Sequence, residues 1–210
     1  MKTKFGKTIA GVALLFCAYG AGGCHGDLDI MQDNKLSASN MWIDESDAET
    51  ATYGIYLYMR DALKSVDQSQ VRTSTMSSVN EYADWTALYT TVNQANLVIR
   101  HVPAMGLKEK PRAFCLGNAH FIRAYCFFQI ARIWGDAPLP LWGYESTDTE
   151  LFLGRTPVSE VLMRVERDIA DAERYVADTS DKTVATPAAV AMLKADYALW
   201  MYRMQAGGEA

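Results

Sequence analysis

Apolar residues recur at helical spacing along most of the chain from residue 45 onward. The first predicted helix opens where Ser46 and Glu49 have the spacing of a capping box, and its apolar stripe runs over 48–66. The second carries an apolar stripe over 85–99 and ends before Pro103. A Ser/Thr/Gln-rich stretch without periodicity separates the two, which predicts a polar loop.

Three further helices follow. The third, predicted over 109–134, is apolar on nearly every side from Ala119 onward, so we expect it at the centre of the fold. The fourth and fifth open at the Thr-Pro pairs 156–157 and 186–187, with threonine as N-cap and proline as first helical residue. No segment alternates in the manner of a strand. The pattern predicts an all-α, tetratricopeptide-like stack of helical hairpins, with a generic helical bundle as the alternative.

The first residues have the pattern of an export signal. Three lysines precede a short apolar run over 9–19, and the small residues 21–23 stand directly before Cys24. The run is too short to span a bilayer as a mature helix. This pattern predicts a lipoprotein signal peptide over 1–23, acylation of Cys24, a flexible tether over 24–43 and a helical domain over 44–210. Ordinary secretion with Cys24 unmodified is the alternative.

Composition narrows the function classes. The formal net charge is −5 and no basic stripe occurs, which argues against a nucleic-acid-binding protein. The histidines His25, His101 and His120 are scattered without a metal-binding spacing. Cys115 and Cys126 would lie roughly 16 Å apart along one helix, too far for a disulfide, so we expect both to be free and buried.

Catalytic motifs are missing from the sequence. No nucleophile elbow, metal-binding helix or phosphate-binding glycine loop occurs. Asp168 and Asp171 have the spacing of neighbours on a helix, where a solvated charged face is the ordinary explanation. A helical hydrolase or lyase is therefore the weaker hypothesis, and we expect a protein that is not an enzyme and needs no cofactor.

Three segments resemble the SusD/RagB family. Residues 85–96 (WTALYTTVNQAN) resemble its "W..lY..i..aN" helix. Residues 119–128 (AHFIRAYCFF) followed by 132–139 (RIWGDAPL) are similar to its "A.FlRAyyyf.l.r.yGdvPl" signature, and 155–172 to its "R.p..evy..i..Dl..A" helix. Asn118 and Cys126 depart from the pattern, since glutamate and an aromatic residue are commoner there.

This resemblance implies a fold and a function. Family members are surface lipoproteins of the outer membrane that cover a SusC-type TonB-dependent transporter, bind an oligosaccharide or peptide, and deliver it for import. Their scaffold is a stack of tetratricopeptide-like helix pairs. Because members are usually more than twice as long, the resemblance covers the N-terminal portion and implies a domain truncated on its C-terminal side. A tethered helical-repeat adaptor that binds only protein partners is the alternative function.

The sequence also suggests roles for individual residues. We expect Arg123 to be buried in the scaffold, with ligand contact as the alternative, and to pair with a carboxylate such as Asp136 or Asp168. Truncation predicts a partly unfilled face on the fifth helix at Leu193, Tyr197, Trp200 and Met201. Ligand contacts are expected from aromatic and planar polar residues on loops, with solvated or packing roles as the alternative; these candidates are Arg72, Asn80, Tyr82, Trp142 and Tyr144.

Overall fold

The computed structural model describes residues 41–65, 84–145 and 152–207, and these contain five α-helices and no strand. The helices are α1 (Glu45–Ser65), α2 (Thr86–His101), α3 (Glu109–Trp134), α4 (Val158–Tyr175) and α5 (Pro187–Gly207). A single 3₁₀ turn, Val102–Ala104, follows α2. The predicted all-α stack and the predicted position of each helix are confirmed. All described residues fall within one unit, Ala38–Ala210.

Helix α3 lies at the centre, as its apolar circumference predicts. It packs against α1, α2, α4 and α5, and nearly every residue between Cys115 and Ala131 is buried. Phe127 and Phe128 are its largest fully buried side chains. None of the described helices is long and apolar enough to cross a membrane.

Close approach between α3 and the end of α4 depends on a glycine. A Cβ at Gly117 would lie 2.9 Å from both the backbone nitrogen and a methyl carbon of Val176. Because the backbone nitrogen cannot move aside easily, only glycine fits here without displacing α4. Cys115 and Cys126, on the same helix, are free and buried as predicted, and burial raises the pKa of the Cys126 thiol to about 12.

Two predicted helix starts are wrong in detail. At α1 the reciprocal box is formed by Asp44 and Asp47, whose carboxylates accept each other's backbone N–H at 3.0 and 3.2 Å, rather than by Ser46 and Glu49. At α4 the first N–H, of Val158, donates to Asp136 Oδ1 at 2.8 Å. An isolated β-bridge directly after Asp136 holds its carboxylate next to the start of α4.

That bridge pairs Ala137 with Thr156, so Thr156 joins the end of α3 to the start of α4 instead of capping α4. The start of α5 follows the prediction. Thr186 Oγ1 accepts the N–H of Ala189 at 3.2 Å, and Pro187 is the first helical residue.

Of the residues predicted to leave a partly unfilled face on α5, Tyr197, Trp200 and Met201 are half-buried, and Leu193 is the exception. Leu193 is buried, and the rings of Tyr197 and Trp200 pack with their centroids 5.7 and 6.4 Å from that of Phe128. Met201 also packs against the core. The exposed apolar side chains of this helix are Met192, Leu199, Tyr202 and Met204.

Candidate functional site

Polar side chains on one stripe of α2 hold the segment that follows α3, which comprises residues 135–145. Tyr89 donates its hydroxyl to the carbonyl of Pro138 at 2.7 Å. Asn93 makes two bonds to the backbone of Tyr144, accepting its N–H at 2.7 Å and donating to its carbonyl at 3.2 Å. Asn96 donates to the carbonyl of Pro140 at 2.9 Å. These residues are three or four positions apart, so a single face of α2 fixes the path of the segment.

The far end of this segment is fixed by charged groups. Arg100 Nη1 donates to the carbonyl of Gly143 at 3.1 Å and to the carboxylate of Glu145 at 3.0 Å. His101 Nε2 lies 2.9 Å from the same carboxylate. A Cβ at Gly143 would lie 2.9 Å from the backbone nitrogen of Leu97, so glycine is needed for the segment to lie this close to α2.

A buried ion cluster lies beneath the stripe. Arg123 binds Asp168 through two bonds, from Nε at 2.8 Å and from Nη2 at 2.7 Å. His120 Nδ1, 2.8 Å from the same carboxylate, also donates to it, and so does Arg164. The predicted scaffold role of Arg123 therefore has Asp168, and not Asp136, as its carboxylate partner. The expectation that Asp168 lies on a solvated face is wrong, because its side chain is fully buried.

The ion cluster keeps Asp168 charged. Burial by itself raises the pKa of this carboxyl, but the hydrogen bonds from His120, Arg123 and Arg164 and the charge of Arg123 outweigh it and hold the pKa well below the usual range. Asp171 lies 3.7 Å from His120, and these two residues with Asp168 have the proximity of a metal-binding group. Since two guanidinium groups already occupy the Asp168 oxygens, this geometry favours a structural ion cluster over a metal centre.

Asn96 connects the cluster to the segment. Its Oδ1 accepts a bond from Arg123 Nη1 at 2.7 Å, which leaves the amide nitrogen facing the segment. From there it donates to the carbonyl of Pro140 and, at 3.4 Å, to that of Trp142. The buried core therefore determines where the segment lies.

Between α2 and this segment lies a groove of about 740 Å³. Its lining side chains are aromatic, hydroxyl, amide or aliphatic, and none of the described lining residues is charged. The lining residues are Trp85, Thr86, Tyr89, Thr90, Asn93, Asn96, Pro138, Pro140, Tyr144, Phe152, Leu153 and Gly154. We refer to this site as the α2 groove.

The structure describes two of the predicted ligand residues, and only one of these two lines the groove. Tyr144 lines the α2 groove. Trp142 does not; it is 53% exposed, and the guanidinium of Arg100 lies 4.1 Å from its ring centroid. Arg72, Asn80, Tyr82 and the acylation site Cys24 lie outside the described residues.

Sequence reasoning missed most of the groove. Thr86, Thr90 and Asn93 were not among the predicted ligand residues, although their spacing repeats every three or four residues beside an apolar stripe. Phe152, which is 90% exposed, was also missed. Periodicity marks the polar face of α2, but it does not show that a segment some fifty residues later lies against that face, as Asn93 and Tyr144 do.

Comparison with known proteins identifies the family. Residues 29–199 match a SusD-like family model described as "Starch-binding associating with outer membrane". SusD-like protein P38 of Formosa agariphila is 22% identical over 209 residues, covering 89% of this chain and 41% of that protein. SusD-like protein P25 of the same organism is 28% identical over 127 residues, which cover 59% of this chain and 24% of that protein.

Solved structures share the fold. NanU of Bacteroides fragilis superposes with a TM-score of 0.66 at 24% identity, covering 85% of this chain and 41% of NanU. The chain thus spans about two fifths of the length of P38 and of NanU. Because the family model matches most of the chain, the protein belongs to the SusD-like family.

Proposed function

We propose that the protein is a surface-exposed, outer-membrane lipoprotein that binds oligosaccharide or peptide nutrients and delivers them to a SusC-type TonB-dependent transporter. The observation that carries the proposal is the α2 groove, in a chain that belongs to a family described as starch-binding and outer-membrane-associated. Binding without chemical conversion is part of the proposal.

The groove has the properties of a ligand site. Its volume of about 740 Å³ falls within the range of about 300–1,000 Å³ that is usual for small-molecule sites. It combines aromatic rings with a few fixed polar groups, as such sites do. Because Asn93 holds both polar backbone atoms of Tyr144, that ring is presented on a fixed backbone, which lowers the entropy cost of binding.

Anchoring rests on the N-terminal pattern. We propose cleavage before Cys24 and acylation of its side chain and new amino terminus, which would tether the helical domain to the outer membrane. Mass spectrometry of the N-terminal peptide, from the chain expressed in a Gram-negative host, tests this. A mass increase on Cys24 that is lost in Cys24→Ser supports the anchor, and an unmodified, uncleaved N-terminus contradicts it.

Ligand binding is tested by isothermal titration of the full chain. We expect heat of binding with at least one member of a panel of oligosaccharides and peptides. Co-purification of a SusC-type transporter with the chain tests the association that delivery requires. No binding to any member of the panel would contradict the nutrient-binding function.

One observation favours a second function, that of an adaptor binding only protein partners. Helix α5 exposes Met192, Leu199 and Tyr202, apolar side chains that protein interfaces commonly bury. Co-purification of a transporter with the chain, together with no binding of oligosaccharides or peptides, would favour the adaptor.

A further inference from the structure

We propose that the α2 groove is the glycan site itself and that it selects neutral oligosaccharides, whose hydroxyl groups donate hydrogen bonds to its walls. This inference rests on the proposed function and adds to it the location of the site and the charge of the ligand. It follows from three features of the groove: its charge, its hydrogen-bonding groups and its aromatic rings.

The charge of the groove disfavours an acidic ligand. Recognition of carboxylates or sulfates generally uses arginine or lysine, and neither is among the described lining residues. Of the described cations beside the groove, Arg123 is bound to Asp168 and Asn96, and Arg155 lies with its guanidinium 5.3 Å from the ring centroid of Trp85 and donates to the carbonyl of Asp136. An anion lies at the rim, because Asp84 accepts two bonds from the lining residue Thr86.

Those two bonds also keep Asp84 ionised. The bond from the Thr86 hydroxyl at 2.5 Å and that from its backbone N–H at 2.8 Å hold the pKa of Asp84 below its usual range. A negative charge therefore lies next to the groove at neutral pH and offsets the positive charge that Arg155 brings to the same rim, so these two residues supply no net positive charge to hold a uronic-acid or sulfated sugar.

The hydroxyl groups of the groove have already used their donors. Thr86 donates to Asp84, Thr90 donates to the carbonyl of Thr86 at 2.9 Å, and Tyr89 donates to that of Pro138. A hydroxyl has one donor and two acceptor lone pairs, so each oxygen can still accept. Sugar hydroxyls satisfy such acceptors by donating, whereas an ionised carboxylate or sulfate can only accept.

Aromatic rings supply the apolar contact. Tyr144 is half-buried and its backbone is fixed by Asn93, while Phe152 is almost fully exposed at the edge of the groove. Rings of this kind bury large apolar areas with little loss of conformational entropy. In the complex that we propose, the C–H face of a pyranose ring stacks on Tyr144 and the ring hydroxyls donate to the acceptors of α2.

The test is titration calorimetry of the full chain with the peptides of the panel above and with two sets of oligosaccharide probes. The neutral set contains maltohexaose, cellohexaose, xylohexaose and mannohexaose, and the acidic set contains hexagalacturonate and a sulfated galactan oligosaccharide. The groove variants are Tyr144→Ala and the isosteric Thr90→Val. Their matched controls are Tyr58→Ala and Thr50→Val, both at exposed positions of α1. Circular dichroism verifies that each variant is folded.

We expect a neutral probe to bind and the acidic probes not to bind. Thr90→Val should weaken binding by about fivefold through loss of one neutral hydrogen bond, and Tyr144→Ala by about tenfold or more through loss of the stacking surface. Both controls should bind as the unmodified chain does.

Three results would overturn the inference and leave the proposed function intact. These are binding of an acidic probe as tightly as any neutral one, binding of peptides alone, and neutral binding that neither groove variant weakens. If the unmodified chain binds no oligosaccharide and no peptide, the proposed function fails together with the inference.

Discussion

Arg123 donates from Nη1 to Oδ1 of Asn96 across 2.7 Å, and this bond joins the buried ion cluster to the segment that lines the α2 groove. Both side chains are buried. Asn96 uses its remaining donors on the carbonyls of Pro140 and Trp142, so it transmits the position of α3 to the wall of the groove. We therefore expect that a change at Asn96 lowers the stability of the scaffold and of the candidate site together.

Replacing Asn96 tests this coupling. Asn96→Leu removes the acceptor for Arg123 and leaves a buried guanidinium N–H and a carbonyl unpaired, so the free energy of unfolding should fall by at least about 2 kcal/mol. Urea unfolding followed by circular dichroism measures the change. Gln94→Leu, on the same helix at a half-buried position, is the control and should change it by less than about 0.5 kcal/mol. Equal effects of the two changes would contradict a coupling role for Asn96.

Asp168 is the shared counter-charge of the buried Arg123 and the half-buried Arg164. Asp168→Asn leaves Arg123 and Arg164 without their shared counter-charge, and removing one partner of a buried ion pair costs about 3–5 kcal/mol of folding free energy. Asp171→Asn provides the matched comparison, since its side chain is 40% exposed and lies 3.7 Å from His120. We expect that change to cost less than about 1 kcal/mol. Denaturation midpoints that shift equally for the two variants would show that Asp168 is not the centre of the cluster.

The sequence predicts the helices of the scaffold more accurately than it predicts the contacts between segments that are distant in the chain. Helix α3 is predicted correctly because its circumference is apolar, and that property requires no knowledge of its partners. Asp136 illustrates the opposite case. Its capping of Val158 depends on the bridge between Ala137 and Thr156, which becomes possible only after α3 and α4 pack together.

The candidate site was predictable to the same limited extent. From the sequence we predict aromatic ligand residues in the segment after α3, and one of them, Tyr144, lines the groove. Helical spacing pairs Asp168 with Asp171 and so predicts a solvated face for both, which is wrong for the buried Asp168. The sequence offers both Asp136 and Asp168 as partners of Arg123, and the tertiary structure selects Asp168 by placing Arg123 and His120 of α3 against it.

Stability should depend on pH through Asp168. Because folding lowers the pKa of this carboxyl, its contribution is fully present well above the unfolded value of about 3.9 and is lost as pH falls towards the lower folded value. Urea unfolding between about pH 7 and pH 2.5 should therefore show a decrease in stability below about pH 5 that is smaller in Asp168→Asn. The other carboxylates are common to both proteins, so the difference between the two profiles reports Asp168 together with the groups that contact it. Parallel pH profiles would contradict the lowered pKa.

Gly143 fixes the distance between α2 and the wall of the groove. In Gly143→Ala the new methyl carbon would lie 2.6 Å from Cδ2 of Leu97 and 2.9 Å from its backbone nitrogen, and the backbone atom cannot rotate away. The segment must then move outward, which weakens the bond from Arg100 to the Gly143 carbonyl. We expect unfolding free energy to fall by about 1–3 kcal/mol, as for other overpacked sites.

Gly54→Ala is the matched control for Gly143→Ala, and we expect it to raise the free energy of unfolding instead of lowering it. Gly54 lies inside α1, and a Cβ there meets no described atom within 4 Å. Alanine should stabilise the helix by about 0.5–1 kcal/mol, because glycine loses more conformational freedom on folding. Thermal unfolding of both variants compares the two sites directly. If Gly143→Ala were as stable as Gly54→Ala, the segment would not need its close approach to Leu97, and α2 would not determine the width of the groove.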